Sequence, residues 1–283
     1  MRIAVIGAGK AGTAVAVAWS RSGHAITAVA GRAATAERAA TWLPGVPVLP
    51  VDETARSGEA LVLAVPDDAI TGAAAAVAGV IEPGTWVLHL SGAAGLEVLD
   101  PIVGSGGRRL ALHPLQTFAD VTGAVAALDG STVAVTGDDE EGFALGERLA
   151  RDLGGVPFRL ADAMRPRYHA AAVFASNYLV TVSGAAALVF ASAGVPDPLT
   201  AMAPLQDATL ANVHRLGPQA ALTGPAVRGD AGTIARNLAA LHPTTPQLVA
   251  PYVALCRTAM DVAGDRLATA DRAAIEEVLT RWT

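Results

Sequence analysis

The sequence predicts an α/β domain built on a doubly wound, mainly parallel sheet, followed by an all-α domain. Three observations predict it. Residues 2–12 run from a short apolar strand through Gly7-Ala8-Gly9-Lys10-Ala11-Gly12 into an amphipathic helix. Apolar runs of strand length then alternate with helix-length segments as far as residue 160, the pattern of strands joined by crossover helices. Beyond residue 162 the apolar runs are all of helical length and spacing. The expected division is therefore 1–161 and 162–283.

Each element has its own signal. In the glycine loop, Gly7 permits the tight turn off the strand, Gly9 lets backbone approach a pyrophosphate, and Gly12 lets helix pack closely on strand. The helix behind the loop aims unpaired N–H groups and its positive end at such a phosphate, with Ala8, Lys10 and Ala11 completing the cradle. Residues 25–30 read as the second strand, stopping at Gly31-Arg32, and a helix over 33–43 is halted by Pro44-Gly45. Residues 60–65 are a continuous apolar run, as a central strand buried on both faces requires. Pro66-Asp67-Asp68 ends that strand before a helix over 69–80. Further strands are expected over 85–90, 109–112, 132–135 and 157–160, with a helix over 140–153. In the second domain Asp162 is a candidate N-cap, and Pro166 sits where a first turn tolerates proline. Helices are expected over 167–192, 198–216, 229–241, 247–263 and 270–281.

Composition excludes several classes. The net charge is −6 with no run of five like charges, which speaks against a nucleic-acid footprint or a basic membrane-surface patch. Cys256 is the single cysteine, so no internal disulfide forms and a reducing cytosol is the expected compartment. The first strand starts at residue 2, leaving no room for a signal peptide. Residues 170–193 carry no charge and are long enough to span a bilayer. Alanine dominates there, however, with Ser176, Asn177, Thr181, Ser183 and Gly184 interspersed. The expectation is a helix buried inside protein, partly beneath a second copy, and no membrane span. The histidines lack close metal-ligand spacing, so no catalytic metal is expected.

In NAD-binding units an acidic residue at the end of the second strand holds the adenosine ribose. Residues 29–35, Val-Ala-Gly-Arg-Ala-Ala-Thr, contain none. Gly31 and Arg32 stand there instead, and the arginine fork is placed to clamp a 2′-phosphate, the alternative being a solvated loop arginine. The cofactor expected is NADP(H). Val65, Pro66 and Ser91 follow strands at the carboxyl edge, where open α/β sheets bind ligands.

Several segments together resemble one bacterial family across essentially the whole chain. They are the loop at 7–12, Ala-Val-Pro-Asp-Asp at 64–68, His-Pro-Leu-Gln-Thr-Phe at 113–118, Tyr168-His169 with Asn177-Tyr178, and Leu-Thr-Gly-Pro-Ala-Val-Arg-Gly-Asp at 222–230. Members of that family pair a Rossmann-like, NADP-oxidoreductase-type domain with a C-terminal helical domain of uncharacterised function. More distantly, the layout is similar to the superfamily of 6-phosphogluconate, 3-hydroxyisobutyrate and prephenate dehydrogenases, ketopantoate reductase and pyrroline-5-carboxylate reductase. The resemblance implies a nicotinamide oxidoreductase with a small-molecule substrate between its domains, and a homodimer through the helical domain.

One departure matters. Relatives carry a lysine four residues before a helix asparagine; if Asn177 is that asparagine, Val173 occupies the lysine position. The acid must then be another group. His113, in a His-Pro pair resembling that of prephenate dehydrogenases, is the first candidate, and His169 the second. An unperturbed pKa near 6.5 suits either as a general acid; the alternative for His113 is a packed loop histidine. His169, Val173 and Asn177 share a helix face, with roughly 12 Å between the outer two, so they would bracket an extended substrate. Gln116 and Arg228 are candidate substrate contacts, Arg228 for an anionic group. The expected activity is NADP-dependent hydride transfer to or from a small carbonyl or imine. The alternatives are a non-catalytic dinucleotide-binding or scaffold protein, and an imine reductase of the pyrroline-carboxylate type.

Overall fold

Strand β1 (Arg2–Ile6) leads through the glycine loop into α1 (Lys10–Arg21), and β2 (Ala25–Ala30), α2 (Thr35–Trp42) and α3 (Val51–Arg56) follow in the computed structural model, which describes residues Met1–Thr283. Next come β3 (Ala60–Leu63), α4 (Ile70–Ala78), β4 (Trp86–His89), β5 (Arg108–Pro114), α5 (Val121–Leu128), β6 (Thr132–Gly137), α6 (Glu140–Asp152), β7 (Val156–Arg159) and α7 (Arg165–Ala175). The seven strands lie in the order β2-β1-β3-β4-β5-β6-β7. Every neighbouring pair is parallel except β5 with β6. This is the mainly parallel, doubly wound sheet the sequence predicts.

The period of two along each strand divides the apolar side chains between two cores. Ile3 and Val5 pack with Val15 and Trp19 of α1, Leu128 of α5 and Leu149 of α6. Ala4 and Ile6 point the other way, toward Ile70, Ala74 and Val77 of α4 and toward Leu99 and Ile102 of a 3₁₀ segment, Leu96–Ser105. The strand order turns back at β1, between β2 and β3. In such sheets the crevice beyond the carboxyl ends at that switch point is where ligands bind.

The chain forms two compact units, Met1–Asn177 and Tyr178–Thr283. The expected division at 161/162 marks where strand gives way to helix, but the first unit runs on through α7. The side chain of Arg165, fully buried, bonds the backbone of the segment after β4 and Thr136 of β6. The second unit holds most of α8 (Asn177–Ser192), then α9 (Pro198–Leu216), α10 (Pro218–Ala221), α11 (Ala231–Thr244), α12 (Val249–Ala263) and α13 (Thr269–Thr280). Ile234, Leu238, Val253, Met260, Ile275 and Leu279 form its core, with Cys256 buried among them.

Two expectations about the long helix are corrected. It is broken at Ser176 (φ −124°, ψ −68°), which separates α7 from α8. It is also not buried within the chain: Phe174 is 69% exposed, Val180 71% and Leu188 55%. Its apolar residues are spread round the helix, more than the neighbours of one chain can cover. Within Asp162–Ser192 an 18-residue window has a mean hydropathy of 1.6, and the stretch has the length to cross a membrane. Yet its first part is anchored to the sheet through Arg165. The 16 residues of α8 alone span about 24 Å, short of a bilayer core of about 30 Å.

Candidate active site

The three glycines of the loop differ in what requires them. Gly7 has φ +98°, and a Cβ there would collide with the Ala64 carbonyl. A Cβ on Gly12 would collide with the Gly7 carbonyl and lie 2.8 Å from the Ala64 side chain. Packing of β1, α1 and β3 therefore accounts for both. Gly9 is otherwise: its φ is −75°, and a Cβ would find no atom nearer than the Gly7 oxygen, 4.0 Å away. Nothing inside the protein demands glycine there.

What the missing side chain leaves open is the N-terminus of α1. Gly9 caps that helix without a side-chain bond, and the first intrahelical donor is the Thr13 N–H. The N–H groups of Lys10, Ala11 and Gly12 have no acceptor within the helix. Such a terminus fits a diphosphate. The loop is tied to the end of β2, since the N–H groups of Gly7 and Ala8 both donate to the Ala30 carbonyl (2.8 and 3.3 Å). Gly31 and the exposed Arg32 follow directly. Arg38 of α2 donates its Nε to the Ala8 carbonyl at 2.8 Å, bringing a second guanidinium to the same place.

A second cluster stands at the carboxyl edge of β4 and β5. His89, the last residue of β4, is fully buried. Its Nδ1 accepts the Ser91 N–H (3.2 Å), so Nε2 carries the proton and donates to the Gly95 carbonyl (3.1 Å). Burial, followed by the Arg165 charge, pushes its pKa down to about 4. Ser91 Oγ donates to Asp67 Oδ2 (2.7 Å) and accepts from the N–H groups of Ala93 and Ala94. Arg165 donates to the carbonyls of Ser91 and Ala94 and to Thr136 Oγ1, and makes no ion pair. Residues 91–94 are thereby held from three sides.

Gly92 lies in the middle of that held segment. A Cβ on it would be 2.7 Å from His169 Nδ1 and 2.8 Å from His113 Nε2, so backbone is wedged against both imidazoles. The ring centroids of His113 and His169 are 6.3 Å apart. Nδ1 of His113 is 3.0 Å from Tyr168 Oη, with the two rings edge to face. Burial, then Arg165 and His169, push the His113 pKa down to about 4. Burial raises that of Tyr168. His169 Nδ1 is buried with no hydrogen-bond partner. Buried polar atoms are rarely left so, and an open acceptor or donor position is a place for a ligand.

The structure thus brings His113, His169 and Ser91 together within the first unit. Asn177 opens α8 beyond the Ser176 break and is exposed, so the continuous face from His169 to Asn177 does not exist. The Gln116 amide donates to the Ala127 carbonyl (3.0 Å) and accepts the Thr117 N–H (2.9 Å), which gives it the job of holding its own loop. Arg228 is exposed in the second unit, ahead of the α11 N-cap Asp230. Val65 and Pro66 follow β3 at the same edge as the glycine loop. No group of three or more His, Cys, Asp or Glu is placed to hold a metal ion. Sequence reasoning missed His89 and Arg165, and gave Tyr168 no role of its own. His89 carried a signal, as the polar residue ending the apolar run Trp86-Val87-Leu88; Arg165 read as an ordinary helix-start arginine.

Residues 1–114 match the Rossmann-like domain family, and residues 131–259 match a domain of unknown function, DUF2520. No curated protein matches the sequence. Among solved structures, a Bacteroides fragilis protein described as a candidate NADP oxidoreductase is 24% identical, with a TM-score of 0.79 over 92% of this chain and 98% of that one. A Thermotoga maritima protein is 20% identical, with a TM-score of 0.69 over 93% and 98%. An imine reductase from Myxococcus stipitatus, in complex with NADP+, is 19% identical, with a TM-score of 0.66 over 100% and 99%. At these identities the likeness is one of fold.

Proposed function

We propose that this chain, a Rossmann-like domain joined to a DUF2520 domain, is an NADP-dependent oxidoreductase moving hydride to or from a small carbonyl or imine compound. The observation that carries the reading is Gly9, a glycine that no contact within the protein requires, at an open helix N-terminus. The loop N–H groups hold the diphosphate, and Arg32 with Arg38 takes the 2′-phosphate. The absence of an acidic side chain over 29–35 favours NADP over NAD. An imine reductase that binds NADP+ shares the fold along its whole length, which supports the same cofactor here.

When bound, the dinucleotide supplies the hydride. The chain's residues do the rest. Val65, Pro66 and the held segment 91–94 shape the edge where the reacting ring would lie. The protic groups of His113, Tyr168 and His169 provide hydrogen bonds and protons beside it. No lysine is present in the cluster and His113 is neutral at pH 7, so a carbonyl substrate would draw its proton from another group of the cluster, whereas an iminium already carries its own. The test is purified protein with NADPH and a panel of carbonyls and cyclic imines, followed by NADPH consumption. Turnover of one compound is expected; binding of NADPH with no consumption on any would leave a dinucleotide-binding protein without this activity.

We place the protein in the cytosol as a homodimer through its helical domain. Val180 and Leu188 of α8 and Leu199 and Leu205 of α9 are large apolar side chains, each more than half exposed. A second copy of the same chain covers them in this reading. Light scattering should give twice the chain mass, and a monomer would count against it.

A further inference from the structure

Two protic side chains, Tyr168 and His169, gather about His113, and hydrogen bonding distinguishes the three. Tyr168 Oη and His113 Nδ1 are 3.0 Å apart with rings edge to face, while the other face of His113 is closed by Gly92 and His169. The His113 ring therefore has one partner and little freedom to turn. We propose that Tyr168 is the proton donor of this site and that His113 is the residue that positions it; the proposal rests on the oxidoreductase reading above.

The chemistry supports that division. His113 faces Arg165, Tyr168 and His169 from α7 and His89 from β4, with Asp67 beyond Ser91. Burial, then the Arg165 cation, disfavour protonating His113 down to about pH 4. A neutral imidazole N–H is a weaker acid than a phenol, so of this pair the phenol gives the proton. With the proton on His113 Nδ1, that N–H donates to Tyr168 Oη and leaves the phenolic hydrogen free for a ligand. As hydride from a reduced nicotinamide dinucleotide forms the new C–H bond, the C=O π pair moves to oxygen, and that oxygen takes the Tyr168 proton. The phenolate left behind is stabilised by Arg165, whose charge opposes the upward effect of burial on Tyr168. After product leaves, a solvent proton returns to Oη and restores the phenol, while His113 keeps its Nδ1–H throughout.

Two readouts test this. In cofactor-free protein, nitrogen NMR of the imidazoles should show His113 neutral from about pH 8 to about pH 5, with Nδ1 protonated, against an ordinary value near 6.5. Its Nδ1 resonance should move in Y168F. For turnover with NADPH, Y168F should lower kcat by about 10²- to 10³-fold while NADPH affinity changes less than about twofold. H113N, whose amide N–H replaces Nδ1–H, should stay within about tenfold of wild type, and H113A should not. Wild-type kcat in Y168F, or a His113 titrating near its ordinary value, overturns the Tyr168 assignment alone. Wild-type protein that fails to bind NADPH overturns the oxidoreductase reading beneath it.

Discussion

Replacing Gly9 with alanine separates fold from function more cleanly than any other change in this chain. The backbone there has φ −75°, open to every L residue, and a Cβ meets nothing closer than 4.0 Å. Loss of glycine's unfolded-state freedom stabilises by about 0.4–1 kcal/mol, and a poorer N-cap offsets a similar amount, so the cofactor-free protein should keep its stability within about 1 kcal/mol. Gly7→Ala is the contrast. With φ +98° and a collision with the Ala64 carbonyl, it should destabilise by about 3 kcal/mol or more, a fall in Tm of roughly 6–12 °C. NADPH at about 100 times its Kd should raise wild-type stability by about 2.7 kcal/mol. In Gly9→Ala the new methyl stands where the diphosphate approaches. A loss of about 100-fold in affinity, about 2.8 kcal/mol, would cut that rise to about 0.4 kcal/mol. Thermal unfolding of the three proteins with and without NADPH is the assay. A Gly9→Ala variant stabilised by NADPH as fully as wild type would refute the reasoning.

Three further outcomes are expected. Stability should fall as pH drops from about 6.5 toward 4: His89 and His113 have folded pKa values of about 4, so the unfolded chain binds more protons in that window. Each accounts for about 3 kcal/mol at most, and somewhat less jointly because each disfavours the other; urea unfolding across that range should show the slope, and H113N should flatten it. Arg165→Met should destabilise by about 3 kcal/mol or more, because the Ser91 and Ala94 carbonyls lose their donors, and should raise the His113 pKa as read by imidazole NMR; an unmoved His113 would show that Arg165 only packs. Arg32→Ser should weaken NADPH about 10-fold or more and NADH hardly at all, measured by fluorescence titration; equal losses would place Arg32 away from the 2′-phosphate.

Local signals made much of this architecture legible. Strand β2 lies where the run 25–30 predicts it, because Gly23 and Gly31 punctuate it, and α12 ends at Ala263 as expected. The helix α5 was missed although Asp120 caps it through the Gly123 N–H, since its Val-Thr-Gly-Ala opening carries no helical period. The antiparallel pairing of β6 is likewise invisible in an apolar run whose direction is set by its connections. The break at Ser176 has no proline or glycine to announce it, and with it went the spacing argument that joined His169 to Asn177. At the site, the glycine loop and His113 were readable as types in sequence. Burial of Arg165 and the contact of Tyr168 with His113 arise from residues more than fifty positions apart, brought together only by the folding of α7 onto the sheet.

The most direct measurement is calorimetric titration of the purified protein with NADPH and with NADH. The account predicts one NADPH per chain, bound at least about tenfold more tightly than NADH, with both affinities lost in Gly9→Ala. Heat of neither coenzyme, or NADH bound as tightly as NADPH, would contradict it.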